Sequence, residues 1–197
     1  MATPIGQVTF LGSFPRDFPA TGLPEVAFAG RSNVGKSSAL NCLLGRRALA
    51  RVSRTPGRTQ LVNLFRVDER FTVADLPGYG FAKVPDAVRE GWKPMIEGYL
   101  GERDVLKLVV VLVDLRLSAQ ELDGALIYGL IESRIPWLVV GTKADKLGKQ
   151  QIQRQRAKLR AELHLPPEQP IPFSAVSRAG REAVLDAIEA HLFPPTS

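Results

Sequence analysis

Short apolar runs alternate along this chain with stretches of helical spacing. Val26-Ala27-Phe28-Ala29 is apolar at every position and stops at Gly30, the pattern of a strand covered on both faces. Lys36 to Leu44 follows as a helix, with Leu40, Leu43 and Leu44 at core spacing and Gly45 as its stop. Leu61 to Val67 and Phe71 to Ala74 predict two strands joined by the polar turn Asp68-Glu69-Arg70, an antiparallel hairpin. Ala87 to Leu100 has helical spacing that Pro94 must kink or interrupt. Leu106 to Val113 is β-branched and almost wholly apolar, as a central parallel strand should be, and Trp137 to Gly141 repeats that pattern. Helices are expected at Ala119 to Ser133, Lys149 to Leu163 and Arg181 to Leu192, with a short strand at Ile171 to Phe173. Val8 to Leu11 is a candidate extra strand, ahead of a proline-rich approach to the first core strand.

Strands alternating with helices imply an α/β fold with a mostly parallel sheet. The expectation is a three-layer domain over residues 25–194, with six strands and one antiparallel edge strand. Residues 1–24 are expected to form a short N-terminal extension packed on it. No repeat is visible, which excludes a solenoid.

Composition narrows the class without naming a function. The 197 residues are 45% hydrophobic and 23% charged, which excludes disorder, collagen and coiled coil. The longest apolar run, Leu108 to Val113, is far short of the about 20 residues a bilayer requires. No secretory pattern opens the chain, and its single cysteine, Cys42, is compatible with a reducing compartment, so a cytoplasmic protein is expected. The formal charge of +6 says less than its distribution. Arg46, Arg47, Arg51, Arg54 and Arg58 form one cluster with no acid among them, and Lys143, Lys146, Lys149, Arg154, Arg156, Lys158 and Arg160 form another.

Gly30-Arg31-Ser32-Asn33-Val34-Gly35-Lys36-Ser37 fits the phosphate-loop pattern G-x-x-x-x-G-K-[ST], placed between a predicted strand and a predicted helix. Its glycines let the backbone fold so that successive N–H groups cradle phosphate oxygens. Lys36 would reach the β- and γ-phosphates, and the Ser37 hydroxyl would bind Mg²⁺. Asp75-Leu76-Pro77-Gly78 closes the strand that begins at Phe71; Asp75 can hold Mg²⁺ through water, and Gly78 can present its N–H to the γ-phosphate.

Thr142-Lys143-Ala144-Asp145 selects the base. A carboxylate at Asp145 can accept from guanine N1–H and the N2 amino group together, donors adenine lacks, while the Lys143 stem can lie along the ring. Phe173-Ser174-Ala175, at the end of the last strand, would bring a backbone N–H to guanine O6. These motifs stand in order at the carboxyl ends of successive strands, where open α/β sheets bind ligands. GTP and GDP are the expected ligands, with Mg²⁺.

Four stretches resemble the EngB (also YihA or YsxC) family of bacterial GTPases, and the likeness runs from about Val8 to the C-terminus. They are Ala29 to Ser38, Thr55-Pro56-Gly57-Arg58-Thr59-Gln60, Asp75 to Ala82 and Thr142 to Lys146. The resemblance implies a P-loop GTPase (G) domain with Mg²⁺-dependent GTP binding. It also implies a role in assembling the large ribosomal subunit and a link to normal cell division and septation. By that similarity Thr59 is the switch threonine that meets Mg²⁺ and the γ-phosphate, within a nucleotide-contacting segment Gly57-Arg58-Thr59-Gln60-Leu61. Chemistry alone leaves Thr55 an equal candidate; the turn at Pro56-Gly57 and the end of the family motif favour Thr59.

Many GTPases place a glutamine directly after D-x-x-G to orient the attacking water. Tyr79 stands there, so slow intrinsic hydrolysis is expected. Two sources of the missing element stay open: a K⁺ ion held beside the phosphates by Asn33, or a group supplied by a bound ribosomal particle. Lys36, Asn33, Thr59 and Gly78 are thus the expected catalytic set. The first arginine cluster could hold rRNA phosphates beside the switch, or be a solvated loop. An RNA-binding assembly factor with negligible turnover is the rival function. No DNA or membrane partner and no oligomer are expected. Cys42 is expected in the core, and neither His164 nor His191 has the spacing of a zinc site.

Overall fold

The apolar runs assemble into a seven-stranded sheet with helices on both faces. The protein is described here from a computed structural model, over residues 4–46, 49, 61–79, 98–101 and 103–195. The strands are β1 (Val8–Phe14), β2 (Glu25–Gly30), β3 (Val62–Val67), β4 (Phe71–Asp75), β5 (Leu106–Asp114), β6 (Trp137–Thr142) and β7 (Ile171–Pro172). The helices are α1 (Lys36–Leu43), α2 (Glu121–Glu132), α3 (Lys149–Glu162) and α4 (Arg181–Leu192). Strand order is β1-β3-β4-β2-β5-β6-β7. The pairs β4·β2, β2·β5, β5·β6 and β6·β7 are parallel.

The expected α/β architecture is present, but the strand count is corrected from six to seven. The reversed strand is β3, which runs antiparallel to both β1 and β4 and so lies inside the sheet rather than at its edge. The edge belongs to β1, which pairs with β3 from Val8 to Phe14, beyond the Val8–Leu11 run expected. A tight turn anchors that strand. Asp68 and Glu69 both take positive φ, the twist a two-strand connection favours, and the Asp68 carboxylate accepts the N–H groups of Gly6 and Gln7. Those bonds, Gln7 first, hold the Asp68 carboxyl below its ordinary range.

Side-chain alternation splits the core in two. Along β5, Leu108, Val110 and Leu112 meet α1 and α4 on one face, while Val109, Val111 and Val113 meet α2 and α3 on the other. Residues 98–101 are helical, the end of the helix expected over 87–100; residues 87–97 lie outside the described residues.

One polar group in the sheet is wholly enclosed. Glu25, at the start of β2, accepts from Thr72 Oγ1 at 2.9 Å, Tyr99 Oη at 2.6 Å, and Arg103 Nε and Nη2 at 2.6 and 2.8 Å. Its side chain is 0% exposed and that of Arg103 7%. Four donors satisfy the carboxylate, and removing it would strand a buried guanidinium, at a cost of about 3–5 kcal/mol. Glu25→Ala should therefore lower the unfolding free energy by that amount, read as a lower urea midpoint with little change in denaturant slope; a loss under about 1 kcal/mol would show that water rescues Arg103.

Candidate nucleotide-binding site

The described candidate residues collect where β2, β4, β5, β6 and β7 end, at the carboxyl edge of the sheet. β2 stops at Gly30 and the chain turns through residues 31–35 into α1. Two positions demand glycine. Gly35 takes φ 102°, and a Cβ at Gly30 would lie 2.9 Å from Val34 Cγ1 and 3.0 Å from the Leu112 carbonyl. The backbone N–H groups of Asn33, Gly35, Lys36, Ser37 and Ser38 have no acceptor among the described residues. They sit at the positive end of the α1 dipole, which favours an anion there.

The loop is clamped from β6. The Thr142 hydroxyl is 2.7 Å from the Val34 carbonyl and 3.0 Å from the Val113 carbonyl, so this residue shapes the phosphate loop. Lys143 follows with φ 61°, and its Nζ donates to the Asn33 carbonyl at 2.7 Å and pairs with Asp114 Oδ2 at 2.9 Å. Asp114 also takes both Nε and Nη2 of Arg116. Burial pushes the Asp114 carboxyl up, but the bonds from Arg116 and Lys143 outweigh it and hold the pKa at about 2.

Lys36 donates to Asp75 Oδ1. The other Asp75 oxygen accepts from Asn63 Nδ2 at 3.3 Å, and Asn63 Oδ1 accepts from Ser13 Oγ at 2.6 Å, so the edge strand β1 reaches the site through one relay. The Ser37 hydroxyl has no protein partner among the described residues. A carboxylate and a free hydroxyl are hard oxygen donors of the kind Mg²⁺ uses together with substrate phosphates, so these residues fit that ion. No cluster of three or more His, Cys, Asp or Glu that could hold a metal occurs among the described residues. Thr55, Gly57, Arg58, Thr59 and Gln60 lie outside the described residues; Leu61 directly precedes β3.

Past β4, the chain stays joined to the phosphate loop. Leu76 N–H donates to Phe28 O at 3.0 Å, Tyr79 N–H to Gly30 O at 3.3 Å, and Ser32 N–H to Tyr79 O at 2.9 Å. Gly78 faces Ser32, where a Cβ would lie 3.2 Å from Ser32 Oγ. Tyr79 is 4% exposed and its hydroxyl donates to Asp123 Oδ1 of α2 at 2.8 Å. Burial pushes the phenol well above its ordinary pKa, and the Asp123 charge pushes it further.

At the T-K-x-D turn, Asp145 Oδ1 accepts from Ser174 Oγ at 2.7 Å, which lowers its pKa. Ala144 N–H donates to the Phe173 carbonyl at 3.0 Å, locking this turn to the end of β7. Ser174 N–H is already spent on the Ala179 carbonyl, so Ala175 carries the N–H left for a base oxygen. Between loop and α2 lies a cleft of about 230 Å³ whose lining includes Arg31, Ser32, Asn33, Arg116, Gln120 and Asp123. Arg31 Nε and Ser32 Oγ are buried there without hydrogen-bond partners among the described residues.

Three residues beside the motifs were not anticipated: Asp114, Asp123 and Asn63. Asp114 ends a strand at the ligand edge, a position that could have flagged it; Asp123 and Asn63 carry no motif. The second basic set is largely spent inside the molecule. Arg156 donates to the carbonyls of Pro167, Glu168 and Pro170, Lys158 to Ser118 Oγ, and Lys143 and Lys146 pair with acids. Of the first set, Arg46 donates to the Gly6 carbonyl, and Arg47, Arg51, Arg54 and Arg58 lie outside the described residues.

A phosphate loop between strand and helix, a D-x-x-G turn bound to it, and a T-K-x-D turn tied to the last strand define a P-loop GTPase. A family model described as "50S ribosome-binding GTPase" matches residues 25–143. "Probable GTP-binding protein EngB" of Geobacter sp. (strain M21) is 48% identical over 180 residues, covering 91% of this chain and 84% of the relative. The chain belongs to the EngB family of GTP-binding proteins. A crystal structure of a probable GTP-binding protein EngB superposes with TM-score 0.73 at 25% identity, over 85% of this chain and 98% of that one. Era, solved with MgGDPNP and a segment of 16S ribosomal RNA, shares the fold at TM-score 0.63 and 22% identity, over 89% of this chain and 58% of that one.

The low pKa of Asp114 has a measurable consequence. A depressed carboxylate contributes stability in full above its unfolded value of about 4, and loses it as pH falls through the folded value. The stability gap between the native chain and Asp114→Asn should be complete at neutral pH and close between about pH 4 and about 2. Urea unfolding across that range reads it; a gap constant with pH would mean that the carboxylate's pairs contribute nothing.

Proposed function

We propose that this GTPase is a Mg²⁺-dependent switch that acts in assembly of the large ribosomal subunit in the cytoplasm, as a monomer, and is needed for normal cell division and septation. The family match over residues 25–143, with a description that names ribosome binding, carries this reading. Residues 25–194 form the GTP-binding domain in it, and residues 1–24 an extension. The absence of a helix long and apolar enough to cross a membrane, among the described residues, accords with it.

Lys36 exchanges Asp75 for the β- and γ-phosphates, releasing that carboxylate toward the Mg²⁺ side. Ser37 and Thr59, with Asp75 through water, would hold the ion, which would screen phosphate charge. Asn33, Val34, Gly35 and Lys36 give backbone N–H groups or shape to the loop that takes the β-phosphate. Asp145 reads the guanine N1–H and amino group, with Ala175 N–H on O6. GTP ties Thr59 and Gly78 to one phosphate; hydrolysis frees both, and the change in those two loops sets affinity for the partner. The Tyr79 hydroxyl is held by Asp123, so the water must be oriented from elsewhere: by K⁺ at Asn33 or by the ribosomal particle. That same observation favours the second reading, an RNA-binding factor whose turnover is negligible on its own.

Asp145→Asn should lose GTP preference and gain xanthine nucleotides, and unchanged GTP-over-XTP selectivity would remove Asp145 from base reading. Co-sedimentation with purified ribosomal subunits tests the larger claim. Pelleting with the large subunit alone, dependent on a non-hydrolysable GTP analogue and resistant to moderate salt, is expected. Pelleting that ignores nucleotide and fades with salt would reduce it to generic phosphate attraction. Turnover should rise with the large subunit, and equal rates in K⁺ and Na⁺ would remove the ion from Asn33.

A further inference from the structure

We propose that Tyr79 and Asp123 are positioning residues for GTP hydrolysis, fixing the D-x-x-G turn in register against the phosphate loop. The inference rests on the reading of Gly78 as a γ-phosphate donor. Its basis is a seam with two layers. The outer layer is backbone: an isolated parallel bridge joins Arg31 to Tyr79, with Tyr79 N–H on the Gly30 carbonyl and Ser32 N–H on the Tyr79 carbonyl. The inner layer is the Tyr79 side chain, buried in the core cluster that also holds Ala29, Leu76, Ile127 and Leu130, with its hydroxyl on Asp123.

Asp123 is 3% exposed on the first turn of α2, and its carboxyl is pushed up chiefly by burial. A buried carboxylate is costly unless bonded, so the phenol and the carboxylate satisfy one another. Arg31 stands near enough to lower both pKa values by its charge. Pinning the ring pins the Tyr79 backbone, and with it the adjacent Gly78 N–H, at a fixed offset from Ser32. A buried hydrogen bond to the first turn of α2 thereby sets a distance that matters at the phosphate.

A mainly structural Tyr79 would lower stability and weaken all nucleotides together. A positioning Tyr79 acts where a γ-phosphate is present. Single-turnover hydrolysis, with binding of GDP and of a non-hydrolysable GTP analogue, should separate the two in the full chain. Tyr79→Phe keeps the ring and removes the bond; it should slow the hydrolytic step about tenfold and weaken the analogue, with GDP affinity within about twofold. Asp123→Ala should match it, and Asp123→Asn, which keeps an acceptor for the phenol, should recover most of the rate. Unchanged hydrolysis in Tyr79→Phe overturns the inference, as does an equal loss of GDP and analogue. Gly78→Ala is the separate arm. It keeps the N–H, but its Cβ would crowd Ser32 Oγ and shift the turn. Unchanged hydrolysis and unchanged preference for the analogue over GDP would therefore remove the reading of Gly78 and the inference with it. A loss there beside unchanged hydrolysis in Tyr79→Phe would overturn the positioning role alone.

Discussion

A lysine ammonium enclosed at a sheet edge needs a counter-charge, and much of this molecule is arranged around that requirement. The Lys36 side chain is 12% exposed and that of Asp75 3%, so the pair is screened from water on nearly every side. Lys36 begins α1 and Asp75 ends β4, two elements joined through a long stretch of chain, and their ion pair closes that path at the ligand edge. Asn63 and Ser13 extend the contact to the outermost strand. In the proposed function a bound phosphate would compete for Lys36 and a divalent ion for Asp75, so one binding event would offer new partners to both members at once. Such a pair changes partners without leaving a charge unpaired in a poorly solvated place.

The clamps on the phosphate loop divide along the same logic. Thr142 and Lys143 hold it by its carbonyls, Val34 and Asn33, which leaves the N–H groups turned toward a ligand. Asp114 holds Lys143 in turn. Loop and T-K-x-D turn are therefore bonded to one another and to β5, β6 and the end of β7. The D-x-x-G turn is attached on the opposite side by a short backbone seam. In the proposed function the clamped parts would recognise any guanine nucleotide, and the seam would lie where GTP and GDP differ.

Much of this was legible in the sequence because the central strands are buried on both faces. Val109 to Val113 and Leu138 to Val140 leave no polar position to blur the pattern. β1 was read too short because it pairs along one side only, and its half-buried run, broken by Gly12, has the weak alternation of an edge. Motif spacing brought Lys36, Asp75, Asp145 and Ser174 to one edge. It could not show that Thr142 serves the phosphate loop, since a hydroxyl's partner is decided by the crossing of β6 over that loop. Charge counting marked Lys143 to Arg160 as a basic face, whereas Arg156 and Lys158 are bound to carbonyls and a hydroxyl of their own molecule. Composition records charge, not its partners.

Tyr79 shows how a departure from a familiar motif acquires meaning only in three dimensions. Read along the chain, a tyrosine after D-x-x-G is a lost amide. In the fold it is a gain of a different kind, because a tyrosine can fill a core and still donate a hydrogen bond, as a surface glutamine cannot. Its ring is part of the α2 face of the core, and its backbone is part of the phosphate seam. The residue that elsewhere reaches out to a water here reaches inward to a helix. The proposed γ-phosphate contact at Gly78 would then be held from inside the core, with no Tyr79 hydroxyl turned toward a water. One side chain thus gives up the water-facing place after D-x-x-G and takes a place in the seam beside the phosphate loop.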